Sequence, residues 1–156
     1  MKPFLPSLDS INKGLIIGAI IAAAIGSADA IYLTIVHFMH IIPPCTIAGC
    51  ETVLTSAYSA IAGVPVALLG ALYYVSVLVA LVLYLDIKKP ILLNYVIVVS
   101  SLGFLATLGF IYLQAFVIHA WCQYCLLSAA TTTVLFIISI VMVKKSRKPA
   151  QISMNL

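Results

Sequence analysis

Four cysteines carry the chemistry that this sequence offers. Cys122 and Cys125 stand three positions apart in "HAWCQYCLL", and Cys45 and Cys50 stand five apart in "PPCTIAGCETVL". Thiols at such spacings can exchange with disulfides, form a structural disulfide or bind a metal ion. Which of these applies depends on the elements that hold the two pairs and on the compartment that they face.

The composition predicts an integral membrane protein. Of the 156 residues, 64% are hydrophobic and only 8% are charged, which exceeds what a soluble domain of this size can bury. A helix of about 20 apolar residues crosses the roughly 30 Å hydrocarbon core, and four runs are long enough, near 14–39, 64–85, 91–117 and 122–143. We therefore predict an all-α membrane protein, a four-transmembrane-helix bundle that forms a single domain over 1–156. The extracytoplasmic loop would cover 41–63 and the cytoplasmic basic tail 144–156.

The basic residues predict the orientation of the bundle. All eight fall on one side of the predicted spans: Lys2, Lys13, Lys88, Lys89, Lys144, Lys145, Arg147 and Lys148. Because positive charge is retained in the cytoplasm, both termini are predicted to be cytoplasmic, and all four cysteines would lie at the extracytoplasmic face. Anionic lipid headgroups account for the net charge of +4, so the sequence does not indicate a nucleic-acid partner. The extracytoplasmic compartment is also the oxidising one.

Three interpretations of the cysteines compete. A structural disulfide is one, although helix packing already holds a bundle together in lipid. A metal site is the second, because thiolates at these spacings allow tetrahedral ligation and His37, His40 and His119 lie at the same interface. The alternative to an enzyme is thus a cysteine-based metal-binding or transport membrane protein. The third interpretation, which we favour, is thiol–disulfide exchange through two dithiol/disulfide couples.

The predicted helix start gives Cys122 and Cys125 different properties. An i, i+3 spacing in the first turn of the last span places them on one face, at a separation that a disulfide can bridge. Cys122 is closer to the helix N-terminus, which favours its thiolate and makes it the better leaving group. Cys125 lies one turn deeper, near the hydrocarbon, so we expect its electron acceptor to be an apolar molecule of the membrane. A lipid quinone fits that description.

The loop around Cys45 and Cys50 is predicted to be movable. Pro43 and Pro44 prevent a helix there, and Gly49 provides a flexible joint beside Cys50. Apolar residues then follow at roughly helical spacing, which predicts a short amphipathic helix on the mouth of the bundle: Val53, Leu54, Tyr58 and Ile61.

At this point the sequence resembles the vitamin K epoxide reductase family, in its prokaryotic, disulfide-forming branch. The resemblance rests on "YLTIVHF", on "CTIAGCETVLTSAYSAIAGVPVALLGALYY" and on "WCQYC". The family of disulfide bond formation protein B also has four spans and reduces quinone, but its cysteine pairs occur in the reverse order. The resemblance therefore favours the first family.

The resemblance implies a role for each cysteine. Cys122 and Cys125 look like the active-site pair, with Cys125 next to the quinone. Cys45 would take electrons from a reduced partner, and Cys50 would attack Cys122. Ser56 corresponds to a serine near the quinone pocket. Many relatives carry a fused thioredoxin-like domain that this sequence lacks, which implies a separate thioredoxin-fold thiol protein as partner.

Two departures from the animal enzymes concern the quinone site. Those enzymes hold the naphthoquinone with a tyrosine four residues beyond the Cys-x-x-Cys and with an asparagine in span two. Here Ala129 occupies the first position, and span two contains no asparagine. Reduction of a quinone, whether ubiquinone, menaquinone or a related naphthoquinone, is therefore favoured over reduction of an epoxide.

Four further residues are candidates for supporting roles. Asp29 is an acid well inside a span, where an ionisable group is costly, so it either hydrogen-bonds a neighbouring helix or assists proton delivery to quinone. His119 either anchors the helix end at the interface or raises the thiolate content of Cys122. Tyr112 and Phe116 are predicted mainly as interface and core residues that also offer contact with the quinone ring.

Overall fold

The computed structural model describes the backbone of residues 13–47 and 49–152 and the side chains up to residue 144. Lys2 of the predicted basic face lies outside the described residues, as do the side chains of Lys145, Arg147 and Lys148. The sequence therefore remains the only basis for the placement of those four charges.

Helices make up most of the described chain. Helix α1 is Lys13–Phe38, α2 is Cys50–Leu54, α3 is Val66–Ile87, α4 is Pro90–Tyr112 and α5 is Gln123–Ile152. A π-helix, Leu113–Ile118, continues α4, and a pair of short antiparallel strands, β1 (Ala60–Ile61) and β2 (Val64–Pro65), precedes α3.

Four helical segments are long and apolar enough to cross a membrane: Lys13–Phe38, Val66–Ile87, Pro90–Ile118 and Gln123–Lys144. Within the bundle, α1 packs against α3 and α5, and α4 packs against the same two helices. Their outer faces are covered with exposed aliphatic side chains such as Leu72, Leu105 and Leu108. The predicted fold class, a four-helix membrane bundle, is confirmed, and the chain is a multi-pass membrane protein.

Small residues on α1 allow close packing against α3. The ring of Tyr74 fills the space beside Gly26, where an added Cβ would lie 2.3 Å from a ring carbon. Its hydroxyl reaches α5, where it lies 2.8 Å from the Thr131 hydroxyl and donates to the Ser128 carbonyl oxygen at 2.6 Å. A polar group buried in lipid must be hydrogen-bonded within the protein. Tyr74 meets this requirement and ties α3 to α5.

The loop helix is present but shorter than the sequence predicted. Helix α2 ends at Leu54 because the next two side chains bond back to the backbone: the Thr55 hydroxyl donates to the Glu51 carbonyl and the Ser56 hydroxyl to the Val53 carbonyl, both at 2.7 Å. Such side-chain bonds compete with further helical turns. The chain then forms the β1–β2 hairpin, whose turn contains Gly63 with a φ of 82°.

The succession of helices places the lysines and the cysteines at opposite ends of the bundle. The start of α1, the connection between α3 and α4 and the end of the α5 span bring Lys13, Lys88 and Lys144 to one end. The other end carries the loop over 39–65 and the start of α5. All four cysteines therefore gather at the end opposite to these lysines.

Candidate active site

The loop cysteines form a disulfide. Cys45 and Cys50 are bonded to each other, with their Cα atoms 6.3 Å apart. Cys45 is half-buried, whereas Cys50, at the start of α2, is only 1% exposed. Cys45 is therefore the sulfur of this disulfide that offers more access to an external thiol.

Cys122 caps the last helix. It immediately precedes α5, and its Sγ accepts a hydrogen bond from the backbone N–H of Cys125 at 3.5 Å. Both cysteines are free thiols, and Cys122 is fully buried. The hydrogen bond from the Cys125 side chain, helped by backbone N–H groups, outweighs burial and lowers the pKa of the Cys122 thiol below its usual value. Cys122 is therefore suited to leave, or to attack, as a thiolate.

The π-helix positions Cys122 through a glutamine that the sequence analysis missed. The Gln114 side chain is buried, and its Oε1 accepts the backbone N–H of Cys122 at 3.0 Å. The backbone carbonyl of Gln114 accepts the N–H of Ala120 at 3.2 Å. One residue thus closes the turn that leads from α4 to Cys122. The only sequence signal for this role is a lone amide side chain at the end of an apolar run.

The close approach of Gly49 brings the loop to the start of α5. A Cβ on Gly49 would lie 3.0 Å from the carbonyl oxygen of Trp121 and 3.1 Å from its nitrogen. The backbone of Gly49 has a φ of 124°, which side-chain-bearing residues rarely adopt. Next to this contact, Cys50 and Cys122 pack into one buried cluster with Val53. Gly49 is therefore a site of close backbone packing, which the sequence analysis did not predict, and its role as a flexible joint stays a prediction.

The two residues between Cys122 and Cys125 hold the other side of the loop. The Thr46 backbone N–H donates to Gln123 Oε1 at 3.1 Å, and the Tyr124 hydroxyl donates to the Pro44 carbonyl oxygen at 2.8 Å. The intervening residues of the Cys-x-x-Cys thus bind the segment that contains Cys45. Both cysteine pairs are parts of a single packed unit.

A cavity of about 880 Å³ extends from this unit into the bundle. Its wall is mainly apolar, with residues such as Leu33, Leu69 and Val99 from three different helices. Cys125 contributes to the wall near the loop. The volume and apolar lining suit a ring with an isoprenoid chain, because small-molecule sites are typically of this size and character.

The structure brings some of the predicted site residues to the cavity. Asp29, Ser56 and Ala129 line it together with Cys125. Tyr112 and Phe116 instead lie on the outer face of the bundle, 59% and 66% exposed, with their ring centroids 5.1 Å apart.

The three histidines differ in their placement. His119 is exposed at the end of the π-helix, where its φ is 53°, and is not part of the cavity wall. His37, in the last turn of α1, and His40, just after α1, both line the cavity. Within residues 13–47 and 49–144, no three His, Cys, Asp or Glu side chains are grouped so that they could hold a metal ion.

A bundle of four membrane helices with two adjoining cysteine pairs at one end defines a class of protein, the membrane redox enzymes of the thiol oxidoreductase kind. The sequence profile of the vitamin K epoxide reductase family matches residues 17–140, and the chain belongs to that family. Its members are quinone-linked redox enzymes. A search of curated proteins finds no significant match.

Replacing Gln114 by leucine tests how Cys122 is held. The variant keeps the side-chain size but removes the acceptor for the Cys122 N–H, which leaves a buried donor unpaired. We expect the thiol oxidoreductase activity to fall about tenfold, which corresponds to a loss of about 1.4 kcal/mol in transition-state stabilisation. Gln123→Leu is the matched control. It should change how fast dithiothreitol reduces the loop disulfide, a rate that Gln114→Leu should leave unchanged, and the opposite pattern would contradict these assignments.

Proposed function

We propose that this protein oxidises a separate thioredoxin-fold thiol protein on the extracytoplasmic side and passes the electrons to a lipid quinone. Its product is a disulfide in the partner, so it supports disulfide bond formation. The observation that carries the proposal is the buried contact cluster of Cys50 and Cys122, one helical turn from a thiol in the wall of a membrane cavity. The lysines at the opposite end of the bundle support the proposed orientation, with both termini in the cytoplasm.

The first half of the reaction takes place at the loop. A thiolate of the reduced partner attacks Cys45, breaks the Cys45–Cys50 bond and forms a mixed disulfide. The second thiol of the partner then breaks this mixed disulfide and leaves as part of the oxidised partner. Two electrons and two protons now reside on Cys45 and Cys50. The greater exposure of Cys45 supports this order.

The second half transfers the electrons into the membrane. Cys50 attacks Cys122 in a Cys122–Cys125 disulfide and releases Cys125, and Cys45 then attacks Cys50 to restore the loop disulfide. The Cys122–Cys125 dithiol gives two electrons and two protons to the quinone and becomes a disulfide again. The structure has a closed loop disulfide and two free thiols, which corresponds to the state before this last step.

The cavity offers groups that suit the quinone and its protons. We propose that Cys125, Ser56 and Ala129 contact the ring of a ubiquinone, a menaquinone or a related naphthoquinone. The Oδ2 atom of Asp29 is buried and lacks a hydrogen-bond partner among the described residues, so it is available to relay a proton. His119 lies outside the cavity, which favours its role as an interface anchor.

A trapping experiment tests the proposed function. Wild-type protein is mixed with a reduced thioredoxin that retains only its attacking cysteine, and the mixed disulfide is mapped by mass spectrometry. We expect the thioredoxin to be bonded to Cys45, because Cys50 is shielded. Bonding mainly to Cys50 would contradict the order of transfer.

A second measurement separates the enzyme from the alternative. Purified protein with intact reduced thioredoxin and menadione should form one quinol for each thioredoxin disulfide. The absence of any quinone reduction, together with stoichiometric bound zinc or copper, would support the metal-binding interpretation instead.

A further inference from the structure

Three buried polar atoms have no hydrogen-bond partner within the described part of the chain. They are Oδ2 of Asp29, the hydroxyl of Tyr73 and the hydroxyl of Ser100. Unpaired polar groups inside a membrane bundle are costly, and ionisable or polar groups at such depth usually have a function. Asp29 and Tyr73 both line the cavity. The proposed function makes use of Asp29, whereas it assigns no role to Tyr73.

Packing fixes the position of the Tyr73 ring. On one side the ring contacts Gly103, where a Cβ would lie 2.8 Å from two of the ring carbons. On another side it meets the ring of Tyr74 edge to face, with centroids 4.8 Å apart. The Tyr73 hydroxyl is buried and has no hydrogen-bond partner among the described residues. The Tyr73 ring is therefore held in place in the cavity wall.

Tyr74 provides a contrast on the same helix. Its hydroxyl has partners on α5, including the Ser128 carbonyl oxygen and the hydroxyl of Thr132. Two adjacent tyrosines of α3 thus differ: the hydroxyl of Tyr74 is hydrogen-bonded within the protein, whereas the hydroxyl of Tyr73, a residue of the cavity wall, is buried without a hydrogen-bond partner among the described residues. A ligand with an acceptor oxygen would satisfy Tyr73.

Tyr73 lies at the depth expected for the far edge of a quinone ring whose near edge contacts Cys125. Both α3 and α5 begin at the cysteine end of the bundle. The hydroxyl of Tyr74, the neighbour of Tyr73, meets Thr131 and Thr132 on α5, six and seven positions beyond Cys125 and about 10 Å deeper at the helical rise. A quinone has its two carbonyl oxygens on opposite edges of the ring. When one edge lies at Cys125, the other points into the bundle.

We propose that the Tyr73 hydroxyl donates a hydrogen bond to the quinone carbonyl oxygen farther from Cys125. Tyr73 is thereby a binding residue that orients the ring with one edge at the thiol. This inference rests on the proposed function. It provides a donor for the quinone in a chain that has Ala129 in place of the tyrosine of the animal enzymes.

The test compares two ligands of similar shape, menadione and 2-methylnaphthalene, which lacks both carbonyl oxygens. Binding of menadione to the full chain in detergent is measured by quenching of the single tryptophan, Trp121, and 2-methylnaphthalene is measured as a competitor. For Tyr73→Phe we expect the Kd of menadione to rise about tenfold, as for the loss of one neutral hydrogen bond. The affinity for 2-methylnaphthalene should change less than about twofold, because the phenylalanine keeps the ring.

Two matched variants and the kinetics complete the test. Tyr112→Phe, on the lipid-facing surface, should leave both affinities unchanged. Tyr74→Phe should lower the thermal midpoint of the ligand-free protein, whereas Tyr73→Phe, which removes an unpaired hydroxyl, should not. In quinone reduction, Tyr73→Phe should raise KM for menadione and leave kcat nearly unchanged.

An unchanged menadione Kd in Tyr73→Phe would overturn the proposal. An equal loss of affinity for both ligands would also overturn it, because the loss would then come from altered packing and not from a hydrogen bond to a carbonyl oxygen. Because binding is measured without turnover, this result is distinct from failure of the proposed function, in which wild-type protein binds menadione but does not reduce it.

Discussion

Replacing Cys125 by alanine is expected to abolish quinone reduction, with a loss of at least about a thousandfold in rate, as is usual when one member of a reacting unit is removed. Cys125 is the thiol that lines the membrane cavity, whereas Cys122 is fully buried against the loop. Without Cys125 the remaining thiol cannot form the disulfide that would release two electrons to the quinone. Quinol formation with reduced thioredoxin and menadione measures the effect.

The loop disulfide supplies the control for this variant. Cys45 and Cys50 are bonded to each other and make no covalent bond to α5, so Cys125→Ala should leave their reduction by dithiothreitol at the wild-type rate. Removal of a reacting group causes a far larger loss than tenfold. If Cys125→Ala keeps more than about a tenth of the wild-type rate of quinone reduction, Cys125 is not the thiol that delivers electrons to the quinone.

Replacing Gly49 by alanine is expected to slow transfer between the two cysteine pairs by about ten- to a hundredfold, since displacement of reacting groups by about 1 Å has effects of this size. The added Cβ would lie 3.0 Å from the Trp121 carbonyl oxygen, and the φ of 124° is strained for alanine. Both effects push Cys50 away from Cys122. Stopped-flow measurement of electron transfer from the reduced loop to Cys122–Cys125 gives the rate.

Gly63→Ala is the matched control, because Gly63 also has a positive φ of 82° but an added Cβ would meet nothing within 4 Å. Backbone strain in the loop is thus common to both variants, and only Gly49→Ala affects the contact with Trp121. Attack of thioredoxin on Cys45 should proceed at a similar rate in both. Equal slowing of internal transfer in the two variants would show that strain in the loop, rather than the close approach, determines the rate.

The sequence was sufficient to predict the membrane bundle, because lipid permits few alternatives. Four apolar runs of spanning length have to form helices that satisfy their own backbone, and the structure places them within a few residues of the expected bounds. The family was also identifiable, since the order and spacing of the cysteines are specific, and the family match over residues 17–140 confirms it.

Features that depend on tertiary contacts were less predictable. The π-helix that turns Gln114 towards the Cys122 N–H has no sequence signature. It differs from a continuation of α4 only in that each backbone hydrogen bond spans one more residue. The side chains of Thr55 and Ser56 ended the loop helix early, although the apolar spacing beyond them was compatible with a longer helix. Residue type also did not show that Tyr73 lines the cavity whereas Tyr112 lies on the lipid-facing surface.

The central claim, that Cys50 is the loop cysteine that exchanges with Cys122, is tested most directly by cross-linking double variants. Cys45→Ala/Cys125→Ala retains only Cys50 and Cys122, and Cys50→Ala/Cys125→Ala retains only Cys45 and Cys122. After brief treatment with a mild oxidant, disulfides are quantified by mass spectrometry. The shared buried cluster predicts rapid, nearly complete formation of Cys50–Cys122 in the first variant and little disulfide in the second. Preferential formation of Cys45–Cys122 would contradict the relay.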